Sequence, residues 1–246
     1  MADPRVDDRA PSTSSAVSNP AISAEPTITL FRPDYGSVRL IQCSPPSWMV
    51  EITLREKGLP HRVKQLSFAR GEHRTPEMLA LNPRGTIPVL RDGDAVLWET
   101  LAILEYLDLA YPDPPLLGED PVTRARALNK LHESGALKQT GMALFAYLMR
   151  TPAEQVDAER RDAALAALVS ELDRWEEYYA QAPWAAGDAL SLGDISVFAY
   201  VATSVHLGLD LDPAHPRLAA VHARMKARDS VRATWPQTWT EPAGVL

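Results

Sequence analysis

Apolar positions change rhythm several times along the chain. From Thr27 to Arg32 they alternate weakly, which predicts at most an edge strand, and Pro33, Asp34, Tyr35 and Gly36 then read as a turn. Val38, Leu40, Ile41 and Cys43 form a short, largely apolar run that ends at Ser44, Pro45 and Pro46, the pattern of a buried strand stopped by prolines. Val50, Ile52, Leu54 and Leu59 then give one apolar helical face, with Gly58 where a C-terminal left-handed glycine belongs. His61 to Leu66 reads as a second strand and Thr75 to Leu81 as a short helix closed by Asn82-Pro83. Pro88 to Arg91 and Ala95 to Trp98 flank Asp92-Gly93, a hairpin signal because Asp-Gly accepts the positive φ of a type I′ turn. A helix from Glu99 to about Ala110 completes a βαβαββα order. Parallel strands first and a hairpin last imply a mixed sheet with helices packed on it.

Beyond a proline-rich linker the strand signals stop. Leu165, Leu168, Leu172, Trp175 and Tyr179 keep helical spacing, as do Leu192, Ile195, Phe198, Ala202 and Val205, and Leu218, Val221 and Met225. Ser191-Leu192-Gly193-Asp194 has the form of a capping box, in which the serine hydroxyl and the acid each satisfy an orphan N–H. The chain is therefore divided into a tail over 1–35 with an added edge strand, an α/β unit over 36–111, a linker over 112–118 and an all-helical unit over 119–246. Met1 to about Glu25, rich in Ser, Ala, Pro and Asp, is too polar to bury enough surface to offset the entropy of ordering it.

Composition narrows the function classes. With 246 residues and a single cysteine the chain is long enough for real cores and is no disulfide scaffold. Twenty-five Lys and Arg against 32 Asp and Glu give a net charge of −7, which argues against phosphate-backbone binding and so against a nucleic-acid partner. Charged residues and prolines break every apolar stretch short of the roughly 20 residues needed to span a bilayer, and the first 25 residues lack an apolar signal core. A cytoplasmic protein with no membrane partner is expected. His206, His215 and His222 are scattered on helices without metal-ligand spacing, so no metal is expected.

Four segments, Ser44 to Leu59 (SPPSWMVEITLREKGL), Asn82 to Leu90 (NPRGTIPVL), Trp98 to Leu107 (WETLAILEYL) and Ser191 to Val197 (SLGDISV), occur in the order and at the spacing of one family. In them the chain resembles the cytosolic glutathione S-transferases, theta- or beta-like with a serine-type site, over roughly Val38 to Ser230. The resemblance implies a thioredoxin-like N-terminal domain, an all-helical C-terminal domain, and glutathione as co-substrate. It also implies a homodimer and conjugation of the glutathione thiolate to a small hydrophobic electrophile, a detoxification chemistry. Isomerisation, dehalogenation or ether cleavage by the same thiolate, and a non-catalytic binding or dimerisation module, remain open at this point.

On this resemblance Ile87-Pro88 is a cis bond that leaves the main chain of Ile87 free to pair with a peptide's backbone. Glu99 takes the γ-glutamyl ammonium, and Thr100, opening a helix, takes its carboxylate. His73 and Thr86 fall near the glycyl end, Thr86 where many relatives carry Lys or Gln. Ser44 stands at the position of the catalytic serine, and Ser47 replaces the second cysteine of redox-active relatives, so disulfide exchange is not expected. As a plain N-cap, Ser44 would instead accept from the Ser47 N–H behind two prolines. Cys43, and with less fit Tyr35, are the other candidates for activating the thiol. The electrophile is expected between the domains, near Lys138, Gln139, Met142, Phe145, Ala146 and Met149, with Trp235 and Trp239 beyond them.

Overall fold

The computed structural model describes residues 27–38, 40–241 and 243. The tail expected over Met1 to Glu25 lies outside them, as does Arg39. The α/β unit runs β1 (Ile28–Pro33), α1 (Pro45–Glu56), β2 (His61–Leu66), α2 (Pro76–Leu81), β3 (Val89–Asp92), β4 (Ala95–Trp98) and α3 (Thr100–Ala110). The sheet has the order β2-β1-β3-β4, with β1 parallel to β2 and antiparallel to β3. The expected βαβαββα order and mixed sheet are therefore present.

The first strand is not where the hydrophobic run points. Val38 and residues 40–43 belong to no strand, with φ of 67° at Leu40 and 44° at Gln42, values no strand residue takes. The strand is Ile28–Pro33, an interior strand and not an edge, so the α/β domain includes it and does not begin at 36. Its weak alternation has a physical cause: both faces of this strand are covered. Ile28 and Leu30 enter the main core with α1 and α3, whereas Phe31 packs with Leu66, Met78 and Val89 on the α2 side. A strand buried on both faces has no polar phase to reveal it. The hairpin is as expected in place, but only Gly93 among its turn residues takes a positive φ (55°), which fits a type II′ turn and not type I′.

Helix α1 is the wedge of the molecule. Trp48, Met49, Val50, Ile52 and Leu54 are each at most 1% exposed, because the helix packs on the sheet, on α3 and on helices of the second domain. It ends in a Schellman cap: Gly58 at φ 62° donates to the Arg55 carbonyl and Leu59 to that of Leu54. Just there Lys57 and Asp108, both sealed from solvent, form a 2.7 Å ion pair. Lys57 also donates to the Tyr111 and Pro114 carbonyls, and Asp108 accepts from the Leu116 N–H. One buried pair thus ties the ends of α1 and α3 to the linker.

The helical domain comprises α4 (Pro121–Glu133), α5 (Gly135–Arg150), α6 (Ala158–Tyr179), α7 (Leu192–His206), α8 (Pro216–Lys226) and α9 (Asp229–Thr234). Helix α7 is its buried axis, which explains why its sequence is apolar nearly all round. At its start Asp194 accepts from the Ser191 N–H (2.9 Å) and hydroxyl (2.6 Å), the Ala185 N–H (2.7 Å) and the Tyr179 hydroxyl (3.0 Å). The acid's half of the predicted capping box is therefore built, and it reaches further than its own helix. No helix among the described residues is long and apolar enough to cross a membrane.

Candidate active site

Sheet register gathers the candidate residues at one edge of the α/β unit. Val89 pairs with Phe31 on one side and with Trp98 on the other. Pro88 and Ile87 thus extend past the end of the ladder beside Glu99 and Thr100, at the end where β1 leaves the sheet toward the loop that leads to Ser44. The Ile87-Pro88 bond is cis.

Glu99 is exposed and sits at φ 69°, ψ 111°, a conformation foreign to a non-glycine residue. Such outliers cost about 1–3 kcal/mol and persist where the surroundings over-determine them, which is typical of ligand clamps. Here the hairpin fixes one side and α3 the other, since the Glu99 carbonyl already accepts from the Ile103 N–H at 3.0 Å. Glu99 caps no N–H of α3 with its side chain, so the carboxylate is available to a ligand. Thr100 follows as the first residue of α3, with its hydroxyl and the free N–H groups of the first turn on the positive end of the helix dipole.

The turn that carries Thr86 is braced from beneath. Asn82, fully buried, donates through Nδ2 to the Thr86 carbonyl (2.8 Å) and hydroxyl (3.0 Å), and its Oδ1 accepts from the Arg84 N–H. Gly85 at φ 59° lets this turn touch the one bearing His73: a Cβ there would lie 3.2 Å from the Arg74 side chain and 3.6 Å from the His73 carbonyl. His73 packs edge-on against Phe68 at 4.4 Å. Burial, then the adjacent Arg74, holds its imidazolium below the usual range. His73 and Thr86 are thus brought to one place.

Ser44 is the N-cap residue of α1 in backbone conformation, yet its hydroxyl makes no capping bond. The expected bond from the Ser47 N–H is replaced by a 3.0 Å hydrogen bond between the Ser44 and Ser47 hydroxyls. Ser47 is fully buried, and among the described residues its hydroxyl bonds only to Ser44 Oγ; either hydroxyl can donate in this pair, and the arrangement in which Ser47 donates satisfies the buried proton. The Ser44 proton is then left for an acceptor outside, and Ser44 is half-exposed. The contact of Ser47 with Ser44 is signalled in the sequence only by a hydroxyl placed on the buried face in the first turn of a helix.

The rival groups are placed differently. Cys43 is fully buried and burial pushes its thiol far above the usual range. Tyr35 is buried as well, and burial, then the neighbouring Cys43, drives its phenol upward. Neither offers an anion or an accessible donor. Arg32, which pairs with Glu51 at 2.9 Å and stacks over the Tyr35 ring at 4.1 Å, closes this buried cluster. Of the residues expected near an electrophile, Phe145 is fully buried in the core. Trp235 and Trp239 do not line the α5 face but pack edge-on against Trp48, at 5.6 and 5.4 Å. Met142, Ala146 and Met149 are half-buried, and Lys138 and Gln139 exposed, on α5.

Comparison with known proteins agrees with this architecture. Family models described as glutathione S-transferase N-terminal and C-terminal domains match residues 43–110 and 139–234. The chain is 36% identical to glutathione S-transferase A of Pleuronectes platessa over 207 residues, 80% of this chain and 90% of that one. It is 30% identical to human glutathione S-transferase theta-2, over 75% and 78% of the two chains. Among solved structures it is similar to a theta class glutathione S-transferase from Xanthomonas axonopodis pv. citri with glutathione bound. That likeness has a TM-score of 0.75 at 28% identity and covers 85% of this chain and 98% of the other.

Proposed function

The chain belongs to the glutathione S-transferase family and is a glutathione transferase, and from that premise we propose that Ser44 is the catalytic residue, donating a hydrogen bond to the thiolate of bound glutathione. The single observation that carries this reading is the 3.0 Å Ser44–Ser47 hydroxyl pair at the start of α1: with the buried Ser47 as donor, the proton of the half-exposed Ser44 is free for an outside acceptor. The thiolate is the nucleophile, and a free thiol has a pKa of about 8.5. A hydrogen bond to a charged acceptor contributes roughly 1.5–3 kcal/mol, which lowers that pKa by about one to two units. Pro45 and Pro46 withdraw two N–H groups from the same helix end, so the hydroxyl carries most of the stabilisation.

The tripeptide lies with its cysteinyl backbone along Ile87 and its γ-glutamyl group at Glu99 and Thr100. The strained backbone of Glu99, and its carboxylate that caps no N–H of α3, support the latter. His73 and Thr86 take the glycyl end, Thr86 through the hydroxyl that Asn82 holds in place. The second substrate is a small hydrophobic electrophile. We extend the proposal to a cytoplasmic homodimer acting in detoxification, on the strength of the family alone; sedimentation at working concentration tests the dimer.

Glutathione-resin retention followed by a conjugation assay over a panel of electrophiles tests the reading. Wild type and Ser44→Ala should both be retained, with turnover of Ser44→Ala down about 10- to 100-fold at neutral pH. Undiminished turnover in Ser44→Ala would overturn it.

A further inference from the structure

The loop before Ser44 does not hold its own shape. Leu40 and Gln42 occupy the left-handed region at φ 67° and 44°, which costs a side-chain-bearing residue about 1–3 kcal/mol unless its surroundings enforce it. Within the loop, the Gln42 N–H donates to the Val38 carbonyl at 3.0 Å. Besides the packing of Ile41 in the core, a further constraint comes from a segment distant in sequence. After α9 the polypeptide doubles back as a strap, and the Trp239 indole N–H donates to the Ile41 carbonyl at 2.9 Å while the Thr238 hydroxyl donates to the Gln42 carbonyl at 3.1 Å.

The strap itself is fixed in the helical domain. The Trp239 ring stacks on His206 of α7 at 4.4 Å and 12°, and the Ala243 N–H donates to the His206 carbonyl at 2.6 Å. Its second anchor is α1, since Trp235 and Trp239 both stand edge-on to Trp48, one turn along the helix from Ser44. Just before the strap, the Trp48 indole donates to Thr234 at 2.9 Å. Two residues anchored on α7 and α1 therefore grip the two carbonyls that lie two and three residues before the proposed catalytic hydroxyl.

The structure assigns Thr238 and Trp239 as positioning residues, through which the helical domain sets the loop that presents the Ser44 hydroxyl to the glutathione sulfur. This rests on the reading of Ser44 given above. Neither residue touches the tripeptide on that reading; each acts by holding Ile41 and Gln42 in the one backbone path that brings Ser44 into line behind the buried Cys43. If the grip is released, Gln42 relaxes toward ordinary φ and the Ser44 oxygen shifts relative to the sulfur, while the Glu99 and Thr100 end is undisturbed.

The test is titration of the bound glutathione thiol by its ultraviolet thiolate absorbance, with kcat and KM measured alongside, in Thr238→Val, Trp239→Phe, Thr238→Ser and Ser44→Ala. Removing either donor should raise the thiol pKa by about 0.5–1 unit and lower kcat at neutral pH by about three- to tenfold. KM for glutathione should stay within about twofold, and Thr238→Ser, which keeps the donor, should match wild type. A Thr238→Val protein with wild-type thiol pKa and kcat overturns the assignment, whatever its melting temperature. So does a Thr238→Ser protein as impaired as Thr238→Val. Should Trp239→Phe fail to fold, Thr238→Val decides, because it removes one half-buried hydroxyl at constant shape. Failure of the Ser44 reading is separately visible: Ser44→Ala would then leave the thiol pKa where it was.

Discussion

The end of the site that holds Glu99 and Thr100 is assembled from neighbours in sequence. The β3–β4 hairpin delivers Glu99 beside Pro88, and α3 begins at once. The end that holds Ser44 is assembled from residues 196 and 198 positions apart, with Thr238 and Trp239 gripping the loop in front of it. On the proposed reading the first end serves binding, with the exposed Glu99 and half-buried Thr100 held at the start of α3. On that reading the second is a donor held by buried packing from both domains. What joins them is the Lys57–Asp108 pair, since α1 starts at one end of the site, α3 at the other, and the pair locks their far ends together.

Breaking that lock is the largest perturbation expected. Lys57→Met removes the 2.7 Å partner of buried Asp108 and leaves only the Arg124 guanidinium at 4.0 Å, and loss of one partner of a buried pair costs about 3–5 kcal/mol. Thermal and denaturant unfolding should both register it, and both ends of the site should fail together. A stable Lys57→Met protein would show the two helices to be held independently.

The Ser44 end should also be the acid-sensitive one. His222 packs at 5.6 Å on Phe198, which in turn packs on Trp48. Burial, with help from Lys226, lowers its pKa to about 4. Because the folded protein resists protonation that the unfolded chain accepts near pH 6.5, the unfolded state binds more protons in between. The stability this histidine contributes is therefore complete above pH 6.5 and is lost as the pH falls from there toward 4, by up to about 3 kcal/mol. Unfolding midpoints measured across that window should slope in wild type and flatten in His222→Phe; equal slopes would remove His222 from the account.

Glu99→Ala sharpens the contrast from the other side. Losing a charged partner for the γ-glutamyl ammonium should raise KM for glutathione about 10- to 100-fold and leave kcat at saturation within about twofold. Relief of the strained backbone would offset little, because alanine also disfavours positive φ. A fall in kcat of the same size would mean that Glu99 takes part in thiol activation and that the two ends are not separate. The smallest effect is expected for Ser47→Ala, where one neutral hydroxyl bond behind Ser44 is lost. Its kcat/KM should fall about two- to tenfold, with thiol pKa rising by less than about one unit.

The same division governs what could be read from the sequence. Asn82-Pro83, the Gly93 turn, the Gly58 cap, the acid's half of the Ser191–Asp194 box and the start of α3 are local devices set by residues a few positions apart, and they are found where the pattern puts them. The misreading fell where burial is imposed from a distance. Ile41 and Cys43 are buried, at 4% and 0% exposure, under the strap and α1 and not in a sheet, so an apolar run mimicked a strand. Ile28–Pro33, covered on both faces, lost the alternation that marks an edge. Trp235 and Trp239, apolar residues in a tail, pointed to a substrate pocket only because nothing in the sequence records that Trp48 and His206 receive them.

The central claim is that a single hydroxyl sets the ionisation of the bound thiol while the opposite end of the site sets only its occupancy. The most direct measurement compares the thiol pKa of saturating glutathione on Ser44→Ala and on Thr100→Val. The account predicts a rise of about one to two units for Ser44→Ala, toward the free value of about 8.5, and less than about 0.3 unit for Thr100→Val. Equal shifts in the two variants, or none in Ser44→Ala, would contradict it.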